Sequence, residues 1–181
     1  GLDIIKLRKS KSIKTILDYS NLKNQPNVDE LGFTIGPQIN AASRLGESNL
    51  PTKLLTSNDI NEIEKISKKL ILLNEKRKLI ENKIYNESLE KINNNKNKKY
   101  ILISNDNWHN GVLGIVASRI INKYYKPTII ISFEENIGIG SARSIESINL
   151  GNIIMQASSE GLLISGGGHK AAAGFKIYKN K

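Results

Sequence analysis

The chain has 181 residues, 39% of them hydrophobic and 24% charged, the balance of a globular protein rather than a disordered or membrane-embedded one. Folding at this length buries roughly 70% of the unfolded surface, so a core forms without cross-links. The absence of cysteine excludes a disulfide scaffold, a thiolate zinc centre and a cysteine nucleophile. The net charge of +10 comes from 27 basic residues, only 5 of them Arg, spread along the chain rather than gathered in a tail. Such a surplus suits a polyanionic partner, and equally a composition biased toward Lys, Asn and Ile. No apolar run is long enough to span a bilayer, and Gly1-Leu2-Asp3-Ile4-Ile5 lacks the basic start of a secretory signal, so a cytoplasmic location without membrane attachment is expected. A start without Met, inside an apolar phrase, is expected of a piece of a larger protein.

Residues 1–58 read as short helices joined by polar turns. Ile13, Ile16 and Leu17 recur at helical spacing, a polar stretch from Ser20 to Glu30 interrupts them, and Gly36-Pro37 marks the start of another helix. Within it Asn40 and Arg44, four apart, share one face; the pair suits a phosphate or base edge, or is a solvated face of a tightly packed helix.

Residues 59–92 are predicted to form one long amphipathic helix, because Ile63, Ile66, Leu70, Leu73, Ile80 and Ile84 fall on one face. Asp59 and Glu62 have the spacing of a capping box, and Glu64 and Lys68 that of an i,i+4 ion pair. The Asn-rich stretch from Asn93 to Lys99 reads as a polar linker.

Residues 100–181 change character. Apolar β-rich runs at Tyr100–Ser104 and Pro127–Phe133 flank a helical segment from Val112 to Tyr125, the pattern of a βαβ unit with a parallel strand pair. A third strand near Gly138–Ser144, a helix from Leu150 to Ser159 and a last strand near Ala172–Tyr178 complete a small α/β domain.

Three phrases in this part carry candidate chemistry. Trp108 and His109 precede the turn at Gly111 into the helix, at the carboxyl side of a strand, where ligands bind in open α/β sheets or where the two side chains cap the core edge. Gly138-Ile139-Gly140-Ser141-Ala142-Arg143-Ser144 holds the parts of a phosphate clamp, or of a glycine hairpin; it is not a P-loop, because the GK[ST] ending is missing. Gly166-Gly167-Gly168-His169 places three glycines before a histidine. Successive glycines cost conformational entropy, which suggests that a ligand or backbone comes very close, with His169 donating to a phosphate or standing near a metal. No cluster of Asp, Glu and His has metal-ligand spacing, so no metal is expected on this chain and hydrolysis by it alone is not expected.

Taken in order, these phrases resemble the C-terminal half of the RecJ family, single-stranded-DNA-specific 5′ to 3′ exonucleases of the DHH phosphoesterase superfamily. The resemblance rests on Gly36-Pro37-Gln38-Ile39-Asn40-Ala41-Ala42-Ser43-Arg44, the long helix, the phrase from His109 through Gly114-Ile115-Val116-Ala117-Ser118 to Arg119, and the glycine-His phrase. It implies a fold in which a long connecting helix leads into a mixed-sheet α/β domain of the DHH-associated type. Residues 1–58 would then end a catalytic domain that lies outside this chain, 59–99 form the helix and linker, and 100–181 the DHH-associated domain.

The resemblance further implies that Mn²⁺ or Mg²⁺ is held by the DHH catalytic domain. Ser141 and Arg143 match positions that bind a DNA 5′-phosphate, and Arg44 and Arg119 match positions lining a single-strand channel. Asn40, His109 and Gly166 to Gly168 would add contacts, and His169 would support catalysis from across the cleft. The partners implied are single-stranded DNA and the catalytic domain of the same protein, as a monomer acting in DNA repair and recombination. Gln38, where the family often has Arg, and Ser43, where it usually has Gly, depart from the pattern. A superfamily phosphoesterase for short oligonucleotides or cyclic dinucleotides, or a non-catalytic interaction module, are the alternatives.

Overall fold

A computed structural model describes residues 1–20, 22, 25–93 and 98–181, and the chain divides into two compact units, Gly1–Leu79 and Ile80–Lys181. The division falls inside the long helix. Among the described residues no helix is long and apolar enough to cross a membrane.

The first unit is helical. Helices α1 (Leu2–Lys6) and α2 (Lys11–Tyr19) are followed by a short α3 (Val28–Glu30), then α4 (Gly36–Arg44), α5 (Asn49–Thr56) and the first part of α6 (Ile60–Asn93). Ser10 caps α2 by accepting the Ile13 N–H, and Asn27 and Glu30 cap α3 reciprocally. The apolar faces meet in a core of Ile16, Leu17, Ile35, Ala42, Leu54, Ile63, Ile66 and Leu70.

Gly36-Pro37 does not begin a new helix after a break. The chain is already helical from Val28, and a π-helical turn, Leu31–Ile35, runs straight into α4. The Gly36 N–H donates to the Leu31 carbonyl, and a Cβ at position 36 would stand 2.9 Å from that oxygen. Pro37, which has no N–H to place, fits the first turn after the widened one.

The capping box expected at Asp59 and Glu62 is not formed. Asp59 accepts the Asn61 N–H at 2.9 Å, but the Glu62 carboxylate takes the Ser57 hydroxyl instead. Lys68 lies over the Tyr19 ring, 5.3 Å from its centre. Its pKa is raised chiefly by the hydrogen bond and charge of Tyr19, with Glu64 a lesser contributor. Helix α6 reaches Asn93; of the expected linker, residues 94–97 lie outside the described residues.

The second unit is the α/β domain. Its strands are β1 (Ile101–Asp106), β2 (Thr128–Glu134), β3 (Ile137–Arg143), β4 (Ser165–Gly168) and β5 (Ala172–Tyr178), in the spatial order β1-β2-β3-β5-β4. The pair β1–β2 is parallel and joined through α7 (Leu113–Tyr124), as the βαβ pattern requires; the other pairs are antiparallel. Helix α8 (Leu150–Ser159) follows β3. Strand β4 carries no apolar alternation, so the sequence pattern does not announce it.

Alternation along β2 builds two cores. Ile130 joins Ile101, Ile103, Trp108, Val112, Leu113, Val116 and Ile120 beneath α7, with Ile84 and Ile92 of α6. Its neighbour Ile131 packs on the other face with Ala142, Leu150, Ile154, Ala173 and Phe175 beneath α8. There the Phe175 ring occupies the space a side chain at Gly140, its cross-strand partner, would need.

Two acidic residues of α6 tie α7 and the β1 loop down. The Trp108 indole N–H donates to the Glu87 carboxylate at 2.6 Å. Glu81, only 8% exposed, accepts from Arg119 Nη1 at 2.9 Å; the same nitrogen reaches Asn82, and the guanidinium stacks 3.9 Å above the Tyr85 ring.

Trp108 is the single tryptophan and lies buried in this unit, so its fluorescence reports the unit's unfolding. Gly140→Ala is expected to cost about 1–3 kcal/mol in urea titrations followed by that signal, because the added carbon enters a filled core. Arg119→Ala is expected to cost about 1–2 kcal/mol, since it removes the cation that faces the buried Glu81 carboxylate. Arg119→Lys should recover less than half of that, because an ammonium cannot stack and bond two oxygens together. A lysine variant as stable as the parent would show that charge alone suffices.

Candidate nucleic-acid interface

The candidate residues fall in separate places. Ser141 and Arg143 stand on β3, facing α7. In register, Ser141 pairs with Ile130 of β2 on one side and Gly174 of β5 on the other, and Gly174 pairs with Gly167 of β4. The row Ile130–Ser141–Gly174–Gly167 therefore passes from a buried position to an exposed stretch of bare backbone. Arg143 pairs with Ala172, and the Ser144 N–H donates to the Ala171 carbonyl at 2.9 Å, so the turn between β4 and β5, with His169, adjoins the end of β3.

The two polar side chains are held by short local contacts. Arg143 Nη1 donates to the Ala142 carbonyl at 2.8 Å and lies 3.5 Å from Ser141 Oγ. Both side chains approach Gly114 in the first turn of α7, a turn with no side-chain cap. A guanidinium, a hydroxyl and a helix N-terminus in one place form a ready set of donors for an anionic oxygen.

In the glycine-His phrase, backbone comes as close as the successive glycines suggest. Packing within the chain accounts for two of the three glycines: a Cβ at Gly166 would strike Ile154 at 2.6 Å, and one at Gly168 would strike the β5 backbone at Ala172 and Ala173. Only Gly167 faces open space. The backbone of the next two residues is docked on α8, with the His169 and Lys170 carbonyls accepting the Gly151 and Leu150 N–H groups at 3.1 and 3.0 Å. The His169 side chain itself is exposed.

His109 is an N-cap. Its Nδ1 accepts the Gly111 N–H at 3.1 Å and starts the 3₁₀ turn Asn110–Val112, which leaves Nε2 as the donor of the neutral ring. It borders a groove of about 420 Å³ with Lys83, Glu87, Asp106 and Trp108. Arg119, expected to line a channel, bonds Glu81 and Asn82 and stacks on Tyr85, with part of its side chain exposed.

Asn40 and Arg44 stand one turn apart on the exposed side of α4, in the other unit. Gln38 points inward: its Nε2 donates to Ser20 Oγ at 2.7 Å, and its Oε1 is buried without a partner. Position 38 here serves packing. Among the described residues no three His, Asp or Glu side chains converge, so the residues present do not fit a divalent ion.

Gly114, within the phrase from His109 to Arg119, is a further residue of this place that residue patterns do not single out. Its signal is a glycine in the first turn of a helix, where alanine would be the better former. Glu81 and Glu87 escape as well, because a carboxylate on a long charged helix looks solvated until its partners are seen.

Comparison with known proteins matches residues 97–181 to the DHHA1 domain. The Single-stranded-DNA-specific exonuclease RecJ of Haemophilus influenzae is 36% identical over 156 residues, 82% of this chain and 27% of that protein. RecJ of Bacillus subtilis is 29% identical over 98% of this chain and 23% of its own length. The crystal structure of RecJ from Thermus thermophilus in complex with Mn²⁺ superposes with a TM-score of 0.86 at 31% identity, over 98% of this chain and 26% of that one. The chain thus spans about a quarter of the length of these relatives. Its second unit carries a DHHA1 domain, and the chain belongs to the RecJ family.

Proposed function

We propose that this chain is the strand-positioning part of a single-strand-specific 5′ to 3′ exonuclease, and that Ser141 and Arg143 fix the 5′-phosphate of the strand being cut. The observation that carries the reading is their pairing at the first turn of α7, beside exposed backbone of β4 and β5, in a chain of the RecJ family. The Arg143 guanidinium donates to phosphate oxygens and supplies the charge; the Ser141 hydroxyl donates one further hydrogen bond. The glycine row leaves room for the sugar and base that follow, and His169 flanks the same edge.

Asn40 and Arg44 contact the backbone further along, within the helical segment 1–58. Residues 59–99 connect it to the domain at 100–181. Arg119 lines the path of the strand, with Glu81 and Asn82 holding its guanidinium in place. Hydrolysis belongs to a DHH catalytic domain with Mn²⁺ or Mg²⁺, and residues of this chain hold and orient the strand for it. The setting is cytoplasmic DNA repair and recombination, with the protein a monomer.

Fluorescence anisotropy of this chain with 5′-phosphorylated, 5′-hydroxyl and duplex oligonucleotides tests the reading. Tightest binding is expected for the phosphorylated single strand. Arg143→Ala should weaken that binding about tenfold, leave the 5′-hydroxyl strand unchanged, and make the salt dependence shallower by about one phosphate contact. Affinity should grow over several nucleotides of length; saturation at two or three would favour a short-oligonucleotide enzyme. Equal binding to all three ligands, or an Arg143→Ala chain that keeps the preference, overturns the reading.

A further inference from the structure

Gly114 is the one residue of α7 whose missing side chain makes room for polar groups of another element. A Cβ built there would lie 2.7 Å from Arg143 Nη2, 3.0 Å from Ser141 Oγ and 3.4 Å from Arg143 Cζ. The first is shorter than a carbon tolerates, the second is tight enough that the hydroxyl must give a little, and the third is ordinary contact. Yet Gly114 adopts ordinary helical backbone, so neither a turn nor a positive φ requires glycine. Alanine at this helix position would otherwise be favoured. Placement of Arg143 and Ser141 is the remaining reason for the missing carbon.

The atom nearest to an added carbon is the far end of an arginine, which rotates away at little cost, so the fold tolerates the change. The guanidinium does not keep its place. Arg143 Nη1 is held by the Ala142 carbonyl at 2.8 Å, while Nη2 points toward the notch at Gly114. Filling the notch therefore turns the fork of N–H donors away from the helix terminus, where both charge and donors are needed for a bidentate phosphate contact.

We infer that Gly114 is a positioning residue that sets discrimination between 5′-phosphorylated and 5′-hydroxyl ends, by keeping the Arg143 guanidinium and the Ser141 hydroxyl against the first turn of α7. The inference rests on the proposed phosphate site. It extends that site from two side chains to a third position that never touches the ligand.

The test compares the unaltered chain with Gly114→Ala, Arg143→Ala and the double variant, each titrated with the 5′-phosphorylated and the 5′-hydroxyl strand, with Trp108 fluorescence recording thermal unfolding. Gly114→Ala should keep the parent's Tm and its affinity for the 5′-hydroxyl strand, and lose the phosphate preference about tenfold. The double variant should lose no more than Arg143→Ala alone. A Gly114→Ala chain that retains the preference while Arg143→Ala loses it overturns this inference and leaves the phosphate site standing. So does one that no longer folds, since the argument requires a movable arginine to absorb the carbon. A parent chain with no preference, or an Arg143→Ala chain that keeps it, defeats the phosphate site and this inference with it.

Discussion

The α/β unit depends on one steric fit, the Phe175 ring lying where Gly140 has no side chain. Strands β3 and β5 lock at that point on the α8 face, and the lock carries through to the opposite face. With Gly140 opposite Phe175, the adjacent pair is Ser141 opposite Gly174, which brings the polar residues of β3 beside bare backbone. The same alternation that buries Ala142 under α8 aims Ser141 and Arg143 at α7. A hydrophobic contact on one side of a sheet thus fixes the position of a charged group on the other.

A second level of control comes from α6, whose carboxylates reach the elements that frame the sheet. Glu87 holds the indole of Trp108 at the end of β1, and Glu81 holds Arg119 in the middle of α7. Both contacts are charge-assisted and partly buried, which strengthens them over fully exposed pairs. Helix α7 is consequently anchored along its length by packing on Ile130 and at its side by an ion pair. Its first turn, where Gly114 meets Arg143, inherits that rigidity.

Much of this architecture is readable from residue patterns because it rests on periodicity. The apolar face from Ile63 to Ile84 gives the long helix, and the two β-rich runs around an apolar helical segment give the parallel pair β1–β2. Leu150 to Ser159 and Ala172 to Tyr178 stand out for the same reason. Strand β4 has no pattern to read, since Ser165 and three glycines alternate nothing. Contacts between distant residues escape for a different reason. Asp59 and Glu62 have capping-box spacing, yet a nearby Ser57 hydroxyl takes the Glu62 carboxylate. The partner of Arg119 is invisible in the sequence, because Glu81 is brought beside it from 38 positions earlier in the chain. Gly166 and Gly168 suggest that a ligand or backbone comes close, but which neighbour it is shows only when Ile154 and the β5 backbone at Ala173 are brought beside them. Spacing along a chain reports local geometry, and these contacts depend on what folding brings from elsewhere.

The glycine strand has a consequence for register. A strand normally resists slipping by one residue because every side chain would change face. Three bare residues remove that safeguard from β4, and its alignment is set instead by lack of clearance, at Gly166 under Ile154 and at Gly168 against Ala173. This is a lock made of close contact rather than of side-chain identity, and it holds only while α8 and β5 are themselves in place. The edge of the sheet that flanks the proposed phosphate site therefore takes its alignment from the packing of α8 and β5 and not from its own side chains.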